Sequence, residues 1–122
     1  SNPVYYAQYA HARLCSILEQ GKDIKLDLDA KMASKDSELN LLKHLINFPS
    51  EVEGAALDRA PYKITNYIHK LAELIHAFYT ECRVIDRDNL DVTSSRLALC
   101  KSAKIVLKNA LRLVGVNAPE RM

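Results

Sequence analysis

The chain has 122 residues, a formal net charge of +2 and 48% hydrophobic residues. That length suits one domain with a sizeable core, and three glycines and four prolines argue against disorder. The charge is too small to imply nucleic acid by itself, no apolar run approaches the ~18 residues of a membrane span, and no signal peptide is visible.

Asn2-Pro3 is a helix opening: Asn caps free N–H groups, and Pro suits a first helical position where its missing donor costs nothing. The helix is predicted to run to about Gln20, with Gly21 as its stop. Residues 22–33 mix Asp23, Ile24, Leu26, Leu28 and Met32 without a clean period, and read as a connecting loop with one short turn. Ser34 or Ser37 is expected to cap a second helix carrying Leu39, Leu42, Leu45 and Ile46. Asn47-Phe48-Pro49 breaks it, because the residue before Pro avoids the helical region. Pro49 opens a third helix through Val52, Ala55, Ala56 and Arg59.

Pro61 ends that helix and opens a long fourth one. Its stripe is Ile64, Tyr67, Ile68, Leu71, Leu74, Ile75, Phe78, Cys82 and Ile85, in steps of mostly three and four. Asp86 to Val92 reads as a polar loop. Thr93 or Ser94 is expected to cap a fifth helix with Leu97, Cys100, Ala103, Val106, Leu107, Ala110, Leu111 and Val114, ended by Gly115. No period-2 run of useful length occurs. The fold class is therefore all-α, a helical bundle of about five helices, with residues 1–122 as a single domain.

Helical spacing also sorts the faces. On the first helix Val4, Ala7, His11, Leu14, Cys15 and Leu18 share the side expected to face the core. Tyr5, Tyr9, Arg13 and Ser16 fall nearly opposite. A line of exposed tyrosines and arginine can stack splayed bases and fork onto phosphate, or it can pack on a neighbouring helix or domain. Lys101, Lys104, Lys108 and Arg112 form a row on the fifth helix that could follow a phosphate backbone or serve as a solvated face. Of Phe78 and Tyr79, one belongs in the core and the other at its margin.

The three cysteines, Cys15, Cys82 and Cys100, are odd in number and widely spaced, so they read as reduced core thiols of a cytosolic protein. His11 has an inward position that suits a structural role. The gap between His69 and His76 is weak evidence for a metal, and no metal ligands are assigned. Asp27 and Asp29 suggest a solvated acidic patch. No glycine-rich phosphate loop and no nucleophile-with-base pattern stands out, so no catalytic residue is assigned.

Three segments carry a resemblance. Residues from Asn2 to Arg13, above all Gln8-Tyr9-Ala10-His11-Ala12-Arg13, resemble a stretch of bacterial arginyl-tRNA synthetases. Phe78-Tyr79-Thr80-Glu81-Cys82-Arg83-Val84 is similar to a second stretch, and Asn109 to Met122, with its Ala118-Pro119-Glu120-Arg121-Met122 end, to that family's terminus. One departure is Asn109, where the family's DALR signature has Asp. The resemblance implies an anticodon-binding domain of class I aminoacyl-tRNA synthetases, a C-terminal fragment of a larger enzyme that ligates L-arginine to its tRNA using ATP.

By matching motif positions, the resemblance assigns anticodon binding to Tyr9, Arg13, Tyr79 and Met122. The tyrosines and Met122 would support unstacked bases, and Arg13 would reach a base edge or phosphate. It leaves Gln8 and His11 as structural or domain-contacting. The family's ATP and L-arginine meet in a Rossmann-type catalytic domain with HIGH-like and KMSKS-like motifs, neither of which occurs in these residues, so no cofactor is expected for this domain. The implied partners are arginine tRNA and the enzyme's own catalytic domain, with no membrane, in a monomeric cytoplasmic protein. The alternative reading is a helical protein-interaction module that binds no RNA.

Overall fold

The computed structural model describes residues 3–26 and 35–122. Five helices hold them: α1 (Pro3–Gln20), α2 (Asp36–Ile46), α3 (Phe48–Leu57), α4 (Tyr62–Glu81) and α5 (Leu90–Leu113). No strand occurs among the described residues. α1 packs on both α4 and α5, α2 bridges those same two helices from another side, and α3 lies on α4.

The expected inward face of α1 is real, with Ala7, His11 and Leu14 fully buried. Cys15 and Leu18 sit at its margin. Gly21 follows α1, but its backbone is not left-handed. Its service is space: a Cβ there would come within 2.8 Å of Leu97 Cδ1. The chain then turns, and Ile24 and Leu26 rest against the core. The expected features at Asn2, Asp27, Leu28, Asp29, Met32 and Ser34 lie outside the described residues.

α2 departs from expectation in two ways. Ser37 does not cap it; Lys35 holds that position in extended geometry, without a side-chain hydrogen bond. Asp36 and Glu38 place negative charge in the first turn instead, where the helix dipole favours it. The stripe is also displaced. Leu41 and Leu45 are core, Leu39 and Leu42 are half-buried, and Ile46 is 69% exposed. The buried face also carries an ion pair that the apolar pattern cannot reveal. Glu38 is 0% exposed and receives a 3.1 Å hydrogen bond from Arg96 Nη2 on α5. Arg96 Nη1 donates to the Arg83 carbonyl at 2.8 Å, so one guanidinium ties α2, α5 and the segment after α4 together.

α3 begins at Phe48 with Pro49 in its first turn, and ends at Leu57. Arg59, expected on this helix, lies beyond it at φ 52°. Ala60 N–H bonds to the Ala55 carbonyl and Arg59 N–H to the Ala56 carbonyl, which is the Schellman closure, with arginine where glycine is usual. α4 stops at Glu81, a turn before the stripe predicted. At Cys82 the backbone is extended (φ −116°, ψ 128°), so alternate residues Cys82 and Val84 reach the core while Ile85 is half-buried. Phe78 is the core member of its pair, 1% exposed, and Tyr79 the marginal one.

α5 starts earlier than expected, at Leu90, with Asn89 as its cap residue. Thr93 is therefore inside the helix rather than at its cap. Its hydroxyl accepts from Asp86 N–H and donates to the Asp86 carbonyl, both at 2.8 Å, and so pins the preceding loop. At the far end Gly115 (φ 76°) closes a second Schellman turn, with Val116 N–H on the Leu111 carbonyl and Gly115 N–H on the Arg112 carbonyl. That turn sends the C-terminal residues back across α1. The three cysteines are free, Cys82 and Cys100 buried and Cys15 at the margin; burial pushes the Cys100 thiol up to about 12. No described helix is long and apolar enough to cross a membrane.

Candidate nucleic-acid interface

The outward edge of α1 meets the last turns of α4. Tyr9 is 45% and Tyr79 37% exposed, large fractions for aromatic side chains. Arg13 lies between them. Its guanidinium carbon is 4.2 Å from the Tyr79 ring centroid and 5.7 Å from that of Tyr9. Its Nη1 also donates to the Tyr9 hydroxyl at 3.2 Å. A cation over two aromatic faces is attracted to both, so the three side chains hold one another in a defined layer. The four-residue step from Tyr9 to Arg13 creates half of this arrangement, and the approach of α4 supplies the rest.

Two clefts share the Tyr9–Arg13 wall. One, of about 190 Å³, is closed on its other sides by Tyr6, Ala10, Ala72, Ile75, His76 and Tyr79. The second, of about 360 Å³, is closed by Ala12, Ser16, Glu120, Arg121 and Met122. Met122 is 52% exposed, so its thioether chain is open to a visitor from solvent. The structure thus brings Tyr9, Arg13, Tyr79 and Met122 to a single edge. Tyr5 is exposed as expected but lines neither cleft.

The tail that carries Met122 is fastened to α1. Gln8 Nε2 donates to the Asn117 carbonyl and to Asn117 Oδ1, both at 3.0 Å. His11 Nδ1 lies 2.8 Å from the Pro119 carbonyl. A carbonyl only accepts, so Nδ1 carries the proton, and Nε2 is left buried without a partner among the described residues. Burial holds the His11 imidazole below its usual pKa. The Pro119 carbonyl and Glu120 oppose that shift, while Lys104 and Lys108 add to it.

Lys104 and Lys108 therefore lie within electrostatic reach of the tail and of Cys15. Lys101 and Arg112 are exposed at either end of the same row. Lys104 and Lys108 thus place positive charge near His11 and Cys15 of α1. His69 faces Glu73 at 3.0 Å, and no group of three or more His, Cys, Asp or Glu side chains that could hold a metal ion occurs among the described residues.

Sequence reasoning missed Tyr6 and His76 as cleft walls. The Tyr6 ring lies 6.3 Å from that of His69 and 6.5 Å from that of His76, which seats it against α4. The signal for these two was the packing of α1 on α4, which periodicity within one helix does not contain.

The described residues form an all-α bundle with an aromatic edge around Arg13. The family model described as DALR anticodon binding domain matches residues 7–122, and the chain belongs to that family. An arginine–tRNA ligase of Bacillus subtilis (strain 168) is 50% identical over 99% of the chain, and arginine–tRNA ligase 2 of Bacillus thuringiensis subsp. konkukian is 48% identical over the same share. The chain spans 22% of the length of each of those relatives. Among solved structures, the Thermus thermophilus arginyl-tRNA synthetase superposes with a TM-score of 0.82 at 28% identity, over 96% of this chain and 21% of that one.

Proposed function

We propose that this chain is the anticodon-binding part of an arginyl-tRNA synthetase and holds the anticodon loop of arginine tRNA at the Tyr9–Arg13–Tyr79–Met122 edge. The observation that carries the reading is convergence. Residues from α1, α4 and the C-terminal tail, far apart in the sequence, form one edge of flat faces around one guanidinium. Tyr9, Tyr79 and Met122 offer surfaces for unstacked bases, with Arg13 free to turn a donor toward a base edge or phosphate. Lys101, Lys104, Lys108 and Arg112 provide the cations that phosphates require.

On this reading the chain contributes recognition. ATP, L-arginine and the ligation step belong to the other parts of the whole enzyme, with which this domain shares the tRNA. The working compartment is the cytoplasm, and the enzyme acts as a monomer.

The test is a binding titration with transcripts of arginine tRNA, the same tRNA altered at the central anticodon base, and an unrelated tRNA, each at several salt concentrations. The arginine tRNA is expected to bind most tightly, the base change to weaken binding, and log affinity to fall linearly with log salt by about 0.7–0.9 per phosphate contacted. Equal affinity for all three would leave only a generic basic surface. Binding to none would favour a protein-interaction module.

A further inference from the structure

The tail beyond α5 is anchored by side chains that reach it from α1. The Schellman turn at Gly115 sets its direction, and Val116 and Ala118 rest against the core. Gln8 then takes both acceptors of Asn117, and His11 takes the Pro119 carbonyl. Gln8 and His11 are one helical turn apart on α1, and the residues they hold are two apart on the tail, so helix and tail are matched in register. Gln8 and His11 alternate along α1 with Tyr9 and Arg13, which form the binding edge. The same turns of one helix therefore build the edge and hold the segment that ends on it.

We propose that Gln8 and His11 are positioning residues of the RNA site: they latch the C-terminal tail so that Met122 is presented against Tyr9 and Arg13 before any RNA arrives. This rests on the anticodon-binding reading. With the latch closed, Met122 is three residues from a fixed point at Pro119, a reach of at most about 10 Å. With it open, Ala118, which lies between the two latched residues, is released with them, the nearest remaining core contact is Val116, six residues from Met122, and the reach doubles to about 20 Å. The effective concentration of a tethered group falls at least as the −3/2 power of tether length, so opening the latch dilutes Met122 at its site about threefold or more.

Two linked measurements test this on the 122-residue chain, whose helices share one core. The first uses no RNA: backbone heteronuclear NOEs of residues 119–122 and the methyl resonance of Met122, in the wild type and in Gln8→Ala and Gln8→Met. Gln8 is not a core residue, so these variants are expected to keep their thermal midpoints. His11→Asn, which can still donate to Pro119, serves as the conservative partner to His11→Ala. The tail is expected to be ordered in the wild type and in His11→Asn, and to gain fast motion in the two Gln8 variants and in His11→Ala.

The second measurement is affinity for an arginine-tRNA anticodon stem–loop. Gln8→Ala combined with His11→Ala is expected to lose about threefold or more in the full chain and nothing in a chain lacking Met122, and Gln8→Ala alone to lose less, because His11 still holds Pro119. Equal losses in both backgrounds, or a tail whose order is the same with and without the Gln8 amide, would overturn the latch while leaving the anticodon reading intact. No binding by the wild type would overturn both.

Discussion

On the proposed reading Tyr9, Arg13 and Tyr79 act through their faces, which makes the contribution of each separable by substitution. Tyr9→Ala is expected to cost roughly 1–3 kcal/mol in binding to arginine tRNA, the value of one base stack, and Tyr9→Phe much less. Because Tyr9 is 45% exposed, neither change should alter the unfolding midpoint, which circular dichroism would check in the same samples. If Tyr9→Phe lost as much as Tyr9→Ala, the hydroxyl that accepts from Arg13 would be the working group instead.

The histidines supply a second residue-scale prediction. His11 and His44 are both held below the usual imidazole pKa, chiefly by burial. His44 stacks on Tyr67 with ring centroids 4.0 Å apart, and each of the two side chains bonds to the other residue's carbonyl. The unfolded chain takes up protons on these rings near pH ~6.5, while the folded chain resists until lower pH. Their contribution to stability is complete above that pH and is lost as the solution is acidified from ~6.5 toward the folded pKa values. The urea midpoint is expected to fall between pH 7 and 5, and less so in His11→Asn with His44→Asn. A flat wild-type profile would contradict this.

Which residues were legible follows from geometry within one helix. The outward placement of Tyr9 and Arg13 is set by a 100° step per residue, and required no knowledge of the partner helix. Tyr6 and His76 line a cleft that exists only where α1 crosses α4. Gln8 matched the family stretch, but its partner is a tail 109 positions away, a contact no local pattern encodes.

At the scale of elements, the two Schellman turns make opposite predictions. Gly115 has φ 76° and open space where a Cβ would stand, so Gly115→Ala suffers from backbone strain alone. It is expected to cost about 1 kcal/mol and, by re-aiming the tail, to weaken RNA binding as well. Arg59 already bears that strain at φ 52°, and Arg59→Gly is expected to gain roughly 0.5–1 kcal/mol with RNA affinity unchanged. Urea melts of both variants, with equal slopes, would measure the pair. A stability gain in Gly115→Ala would contradict the geometry.

Helix existence was readable from Pro, Gly and the apolar stripes, and helix ends less so. The fourth stripe carried on to Cys82 and Ile85 because an extended strand-like segment also buries apolar residues, merely at alternate positions. The fifth helix began before Thr93 because that hydroxyl serves the loop at Asp86 instead of the helix cap.

Across the whole molecule, the Glu38–Arg96 pair joins α2 to α5 inside the core, with Glu38 Oε2 and Arg96 Nε lacking partners among the described residues. Removing one partner strands a buried charge, so Glu38→Ala is expected to cost about 3–5 kcal/mol. Replacing both with apolar residues, Glu38→Leu with Arg96→Met, is expected to cost less than either single change. Greater loss in the double variant would show that the pair stabilises beyond its own desolvation. No local pattern warned of this pair, because a charged residue on a helix reads as solvent-facing until the opposing helix is in place.

On the proposed reading one edge, drawn from α1, α4 and the C-terminal tail, receives the RNA. Amide and methyl chemical-shift mapping during titration with an arginine-tRNA anticodon stem–loop tests it most directly. The largest changes are expected at Tyr9, Arg13, Tyr79 and Met122, with smaller ones along Lys101, Lys104, Lys108 and Arg112. Changes centred on α2 and α3, with Tyr9 and Met122 unmoved, would contradict it.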